Sequence, residues 1–176
     1  MPTWEMVIID NALSNFDDLK KLVTELDSTW TFLQNTTDPS LVDVDQGFQR
    51  RIPVSMARKI VHQVKEATGL PMGKVDMSRA NCKFPTNRKS TRHFHVDQTV
   101  PHWVILAYIT ANKAPTRLTD IYWTPGIKPI QDNLTVTEAV YPEPNRVLVF
   151  DGLRFHADST PLDHARINVN INVYPT

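Results

Sequence analysis

The chain has 176 residues, 41% of them hydrophobic, with 19 basic and 19 acidic side chains and a formal net charge of zero. That length and apolar content suffice for one properly buried core and leave no room for a second domain of ordinary size. The balanced charge gives no electrostatic footprint for nucleic acid or for an anionic membrane.

Cys82 is the single cysteine, which excludes an intrachain disulfide and makes a reducing compartment the natural reading. The N-terminal stretch MPTWEMVIIDNALSNFDDLKK has a short apolar run with acids close behind, not the basic-then-apolar pattern of a signal peptide. No segment approaches the roughly 20 apolar residues of a membrane span. A soluble, cytoplasmic protein without membrane or nucleic-acid partners is expected.

In chain order, residues 4–10 read as a short strand. Ser14 then has the character of an N-cap, with Asp17 at the third helical position as in a weak capping box, and Phe16, Leu19, Leu22, Val23 and Leu26 follow at helical spacing. The polar stretch QNTTDPSLVDVDQ connects to a second helix over 55–68. There Met56, Ile60, Val61, Val64 and Ala67 form the apolar stripe and Gly69 ends it. From Val75 the pattern changes to short strands broken by Pro, Asn and Asp: VDMSRANCKF, the run around His95, HWVILAYIT, LTDIYW, LTVTEAVY, RVLVFD and ARINVNINVY. Helices first and seven or eight strands afterwards predict an α+β fold in a single domain over 1–176. Its N-terminal helical part covers about 1–70, and a β-sandwich or jelly roll over about 75–174 is backed by those helices.

The last of these segments alternates strictly. Arg166, Asn168, Asn170, Asn172 and Tyr174 interleave with Ile167, Val169, Ile171 and Val173. The polar face of such a strand ordinarily meets solvent. If Arg166 serves an internal site, the polar face lines the interior instead, and the apolar face packs on the helices, whose stripes need such a surface.

The chemistry-bearing residues lie in the strand half. His95 and Asp97, in RHFHVDQTV, stand two apart, so in an extended segment they share a face and can grip one ion together. His156, in FDGLRFHADS, comes 59 residues after Asp97, and Arg166 ten residues after His156. Two imidazoles and one carboxylate on one side of a metal form the facial triad of non-heme Fe(II) oxygenases, with coordination positions left open. A His-x-Asp pair alone is common. Joined to a distal His and an Arg ten residues on, each in a strand-like segment, it is far rarer.

On these residues the stretch 75–173 resembles the Fe(II)/2-oxoglutarate-dependent dioxygenases, and the prolyl 4-hydroxylase-like branch most closely. The resemblance implies a double-stranded β-helix (jelly-roll) core and an enzyme whose metal ligands are His95, Asp97 and His156. It implies Fe(II) chelated by the keto oxygen and adjacent carboxylate of 2-oxoglutarate, with O2 as the further substrate. Arg166 completes the implied catalytic set by pairing with the far carboxylate, a task for which the planar guanidinium fork is suited. Tyr108, in LAYIT, stands where related prolyl hydroxylases carry Tyr-Leu-Asn and is implied to reach the same carboxylate. The implied reaction hydroxylates an unactivated C–H bond, releasing succinate and CO2. The expected target is a prolyl or other amino-acid residue of a peptide or protein; the alternatives are a free small molecule or a cupin-like metal-binding protein. Halogenating members have a small residue in place of the carboxylate, so Asp97 favours hydroxylation or a desaturation variant.

The sequence departs from that pattern in places. Phe84-Pro85 stands where prolyl hydroxylases often have Tyr-Pro, and Asn168, on the face of Arg166, is the candidate to replace the missing hydrogen bond to the cosubstrate. Arg117-Leu118-Thr119-Asp120 replaces a Gly-Gly-x-Thr segment. His93 could pair with His95 as in cupins, but the Glu that pattern wants is absent from Gln98-Thr99-Val100. His62, His102 and His164 read as surface or satisfied histidines. Arg88, Lys89 and Arg92 make 85–92 a polar, basic loop, either solvated or a lid over substrate.

Overall fold

A computed structural model describes residues 6–25, 29–33, 47–85 and 94–176. After β1 (Val7–Ile9) comes α1 (Phe16–Thr24), then β2 (Thr31–Leu33), β3 (Gly47–Arg51), α2 (Val54–Thr68) and the long β4 (Met72–Lys83). The remaining strands are β5 (Trp103–Tyr108), β6 (Thr116–Tyr122), β7 (Val136–Val140), β8 (Val147–Asp151), β9 (Arg154–Asp158) and β10 (Arg166–Pro175), with a 3-10 turn at Gln131–Asn133.

The cap of α1 differs from the expectation. Asn15, not Ser14, is its N-cap, and no side chain closes it. Ser14 points its backbone N–H and its hydroxyl at Gln63 Oε1 on α2, at 2.7 and 2.9 Å, while Gln63 Nε2 donates to Asn15 Oδ1 at 2.8 Å. The polar side chains available for capping therefore tie the two helices together. Along α2 the buried stripe is Ala57, Ile60, Val61 and Val64, and Ala67 is exposed. Gly69 ends the helix at φ 70°, its N–H donating to Lys65 O, a left-handed conformation glycine adopts without penalty.

The strands, all paired antiparallel, form two sheets. The larger has the order β1-β8-β5-β10-β4-β3-β2 and the smaller β7-β6-β9. Among the described residues the first 70 thus contribute three strands besides the helices. β2 and β3 pair on either side of 34–46, the expected polar connector, which lies outside the described residues, as do Trp4, Leu26, His93 and the candidate lid residues Arg88, Lys89 and Arg92. TFL and GFQRR are too short for alternation to announce them as strands; the long edge of β4 supplies the partner that makes them so.

On β10 the two faces are divided by chemistry. Val169, Ile171 and Val173 belong to one apolar cluster with Ala80, Ile105 and Val149 of the same sheet and Leu19, Val23, Ile60, Val61 and Val64 of the helices. The opposite face carries Arg166, Asn168, Asn170 and Asn172, all buried. Its partner residues on β4 are Lys83, Asn81, Arg79 and Met77 in turn. On the β5 and β8 side the same concave face is apolar: Val104, Leu106, Tyr108, Leu148 and Phe150 cluster with Leu118 and Val140 of the small sheet.

The chain passes from the large to the small sheet at Gly152, between β8 and β9. His102 lies against that glycine, so that a Cβ there would sit 2.1 Å from the ring nitrogen Nε2. Asp151 Oδ1 accepts from Leu153 N at 2.9 Å and closes the bend that starts the strand bearing His156. Among the described residues no helix is long and apolar enough to cross a membrane.

Candidate metal and cosubstrate site

His95 was expected on a strand but occupies a single antiparallel bridge to His156. Each backbone N–H donates to the other residue's carbonyl, at 2.9 and 3.0 Å. Reciprocal bonding of this kind puts both side chains on one face, and the two rings lie 4.7 Å apart at 48°. The bridge is short because its chain neighbours are held by other means. Gln131 Oε1 accepts from Phe94 N at 2.8 Å and Gln131 Nε2 donates to Phe94 O at 2.9 Å, the side-chain amide taking the place of a neighbouring strand. Phe94 is packed with Leu134, Phe155 and Ala157, and the guanidinium of Arg117 stands 5.2 Å over its ring. Alternation then sends His95 and Asp97 to the opposite side.

His95, Asp97 and His156 each offer a ligand atom, and the three atoms lie within 4.8 Å of one another. Asp97 Oδ1 is 3.4 Å from His95 Nε2 and 3.7 Å from His156 Nε2. The other nitrogen of His156, Nδ1, is 3.0 Å from Arg154 O. A carbonyl can only accept, so Nδ1 carries a proton, and Nε2 is the ring nitrogen that faces Asp97. Phe150 packs edge-on against the same ring at 4.9 Å. Asn170 Nδ2 donates to Asp97 Oδ2 at 3.0 Å and turns Oδ1 toward the imidazoles. Burial, the largest single influence on Asp97, opposes ionisation, but hydrogen bonds and charge from His156 and His95 outweigh it and hold the carboxyl far below its ordinary range. A divalent cation suits this donor set: ligand atoms about 2.1 Å from one ion at right angles are about 3 Å apart, and the three side chains close in toward that spacing when they grip it.

Arg166 is completely buried. Its Nη2 donates to Thr116 Oγ1 at 2.7 Å and to Asp158 Oδ1 at 2.9 Å, and Nη1 donates to Asn168 Oδ1 at 3.3 Å. Tyr108 lies beneath it, the guanidinium carbon 5.6 Å from the ring centroid, and its hydroxyl donates to Thr116 Oγ1 at 2.7 Å. Lys83 Nζ stands 3.8 Å from Asp158 Oδ2. Burial, the largest influence on Arg166, works against its charge, and the Asp158 carboxylate together with Tyr108 outweighs it, so that its pKa is raised. Burial pushes the Tyr108 hydroxyl up to about 12 despite the nearby guanidinium.

The structure therefore brings together His95, Asp97 and His156, and gathers Arg166, Tyr108 and Asn168 beside them on one concave face. Phe84 lies apart: it is exposed and meets Phe48 edge-on at 5.7 Å. Sequence reasoning missed Thr116, Asp158 and Gln131. Asp158 had a readable signal, since it stands two residues after His156 and so shares its face in a strand. Thr116 and Gln131 had none. His62 and His164 are exposed, as expected of surface histidines, whereas His102 is fully buried.

Five buried polar atoms on one face of β10 have no protein partner: Arg166 Nε, Asn168 Nδ2, Asn170 Oδ1 and both amide atoms of Asn172. Each such atom costs about 1–3 kcal/mol if left unsatisfied, so a row of them suits a surface that receives a polar ligand better than one built only to pack.

No protein-family model matches the sequence, and no curated protein does. Solved structures share the fold. The non-heme alpha-ketoglutarate-dependent carbocyclase SnoK of nogalamycin biosynthesis matches over 97% of this chain and 79% of its own, with a TM-score of 0.67 and 10% identity. HygX from Streptomyces hygroscopicus, with nickel and 2-oxoglutarate bound, matches over 99% and 84%, with a TM-score of 0.62 and 10% identity. A Pseudomonas putida prolyl-4-hydroxylase matches over 97% and 92%, with a TM-score of 0.59 and 10% identity. The chain has the antiparallel jelly-roll fold found in 2-oxoglutarate–Fe(II) oxygenases. At such identities the likeness establishes architecture, and a fold hosts many chemistries.

Proposed function

We propose that the protein is an Fe(II)- and 2-oxoglutarate-dependent dioxygenase that hydroxylates an unactivated C–H bond and releases succinate and CO2. The observation that carries this reading is the His95–Asp97–His156 cluster on a jelly-roll face that also presents a buried Arg166. His95, Asp97 and His156 hold the metal, and bound Fe(II) supplies the redox chemistry that couples oxidative decarboxylation of 2-oxoglutarate by O2 to C–H oxidation.

The chain's own residues do the positioning. The bridge to His95 fixes His156, and the carbonyl of Arg154 selects the tautomer that leaves Nε2 able to bind metal. Asn170 orients Asp97. Arg166 binds the far carboxylate of the cosubstrate with its fork, and the unpartnered Asn168 Nδ2 donates a further hydrogen bond in place of the phenol that Phe84 lacks. Tyr108 acts through Thr116, to which its hydroxyl donates, and shields the guanidinium with its ring. The apolar half of the concave face, from Val104 to Phe150, keeps water from the pocket. In this reading the strands and both helices make up one oxygenase domain, the helices backing the larger sheet, in a reducing compartment such as the cytoplasm that suits Fe(II) and the buried thiol of Cys82.

The substrate is a prolyl or other amino-acid residue in a peptide or protein, in keeping with the resemblance to prolyl hydroxylases and with a fold shared with a Trichoplax adhaerens prolyl hydroxylase solved with a peptide fragment. A free small molecule is the second reading; HygX has been solved with hygromycin B bound. Anaerobic addition of Fe(II) and 2-oxoglutarate to the purified protein tests the class. A weak visible charge-transfer band is expected, and its absence at saturating cosubstrate rejects it.

A further inference from the structure

One straight row of residues leads away from the triad across the large sheet. Asn170, which holds Asp97, is paired with Arg79 on β4, and Arg79 is paired with Arg51 on β3. Directly opposed residues of antiparallel neighbours have Cβ atoms about 5 Å apart on the same face, where like charges are destabilising. Ala80 and Cys82 on β4 face the helix-bearing core, so Arg79 points to the concave side with Asn81 and Lys83. Phe48 likewise packs on that core and Arg50 Nη1 donates to Leu22 O of α1 at 2.6 Å, which leaves Gln49 and Arg51 on the concave side.

Both arginines line a cavity of about 800 Å³, shared with Thr31, Gln49, Asp76 and Met77. No carboxylate among the described residues forms an ion pair with either arginine, and Arg79 Nε is buried without a partner. Asp76, the acid in the same cavity, accepts from Gln98 Nε2 at 2.6 Å, next to the triad. Lys83 and Arg166, by contrast, have Asp158 as their counter-ion. Two unpaired cations side by side repel by about 1 kcal/mol even in water and by more where solvent is partly excluded. A bound anion turns that repulsion into two charge-assisted contacts.

We propose that Arg51 and Arg79 form a subsite for an anionic oxygen group of the substrate, a carboxylate or a phosphate, one to two strand spacings, about 5 to 10 Å, from the Asn170 that holds Asp97. This rests on the oxygenase reading for the word substrate, but the anion site stands or falls by itself. It specifies the substrate class as one whose oxidised carbon lies within that reach of an acidic group. An amino-acid-sized acid meets this condition, and so does a peptide with an acidic residue beside its target.

The test titrates the full-length 15N-labelled protein with N-acetylglycine and separately with inorganic phosphate. 2-Oxoglutarate is held in fixed excess so that Arg166 is not the group being filled. The Arg79 Nε–Hε resonance, identified by its disappearance in Arg79→Lys, is expected to shift saturably, and the tighter probe tells carboxylate from phosphate. Arg51→Gln is expected to weaken that binding at least about tenfold and Arg51→Lys to restore part of it, with the other arginine resonances in place as the sign of an intact fold. A shift equalled by potassium chloride at the same ionic strength, no saturable shift with either probe, or no effect of Arg51→Gln overturns the proposal. A saturable shift without the Fe(II)–2-oxoglutarate absorption band rejects the oxygenase reading and leaves the anion site; the band without the shift does the reverse.

Discussion

The concave face of the larger sheet carries two basic centres, and the chain treats them oppositely. At one end Arg166 is fully buried and surrounded by partners: Asp158 neutralises it, Thr116 and Asn168 accept from it, and Tyr108 covers it. At the other end Arg51 and Arg79 are adjacent cations without a carboxylate partner among the described residues. The triad stands between them, joined to both through the polar face of β10. The difference teaches that a buried cation must be neutralised by the chain before any ligand arrives, whereas an exposed Arg51 beside a half-buried Arg79 can wait in contact with water. It also means that a dicarboxylate reaching Arg166 must compete with a resident carboxylate, and an anion reaching Arg79 need not.

Removing the centre that the two ends share has the largest effect. Asp97→Ala or His156→Ala is expected to abolish iron-dependent succinate formation, since two donors cannot hold a facial site, while circular dichroism shows the fold retained. Succinate production at the wild-type rate under the same iron load by either variant rejects the triad. Next in size is Arg166→Lys. It keeps a charge for Asp158 but loses the fork, so the 2-oxoglutarate concentration for half-saturation is expected to rise about 10- to 100-fold with iron affinity unchanged. Calorimetry showing equal 2-oxoglutarate binding rejects that role.

Asp158→Asn separates the closed end from the open one more finely. Asp158 Oδ1 holds the guanidinium nitrogen Nη2 that an incoming carboxylate needs. Removing its charge leaves Arg166 and Lys83 facing the cosubstrate unopposed. Half-saturation by 2-oxoglutarate is expected to fall a few-fold, and thermal stability without cosubstrate to fall with it. A rise in the half-saturating concentration instead identifies Asp158 as a residue that orients Arg166 rather than one that competes for it.

Much of this was legible in the sequence because strand periodicity is strict. His95 with Asp97, and Arg166 with Asn168, could be placed on common faces from their spacing alone, and the inward polar face of β10 followed from needing Arg166 inside. Other features were illegible for physical reasons. Gln131 supports Phe94 by side-chain hydrogen bonds across 37 residues of sequence, and no local pattern announces an amide that imitates a strand. β2 and β3 are strands because β4 offers an edge, not because their own residues alternate. Ser14 looked like a cap because it precedes an amphipathic run, yet a glutamine on another helix offered it a better partner. Local propensity was overridden wherever a distant residue supplied the hydrogen bond.

The smallest expected effect concerns Tyr108. Its hydroxyl donates to Thr116 Oγ1, which in turn lies 3.2 Å from Asp158 Oδ1, so the phenol reaches the cosubstrate site through a relay. Tyr108→Phe removes one neutral hydrogen bond, worth on the order of 1 kcal/mol, and 2-oxoglutarate half-saturation is expected to move less than about fivefold. The same residue gives a sharper signature at high pH. Folding raises its pKa from the ordinary value near 10 to about 12, so between those values the unfolded chain releases a proton that the folded one keeps. The stabilisation is complete below pH 10 and is lost as pH rises toward 12, by on the order of 2–3 kcal/mol. Denaturant unfolding of the wild type is therefore expected to weaken over that window, and Tyr108→Phe, slightly less stable at neutral pH, to lack that loss. Parallel alkaline profiles for the two proteins would show that the phenol is not sealed beneath Arg166.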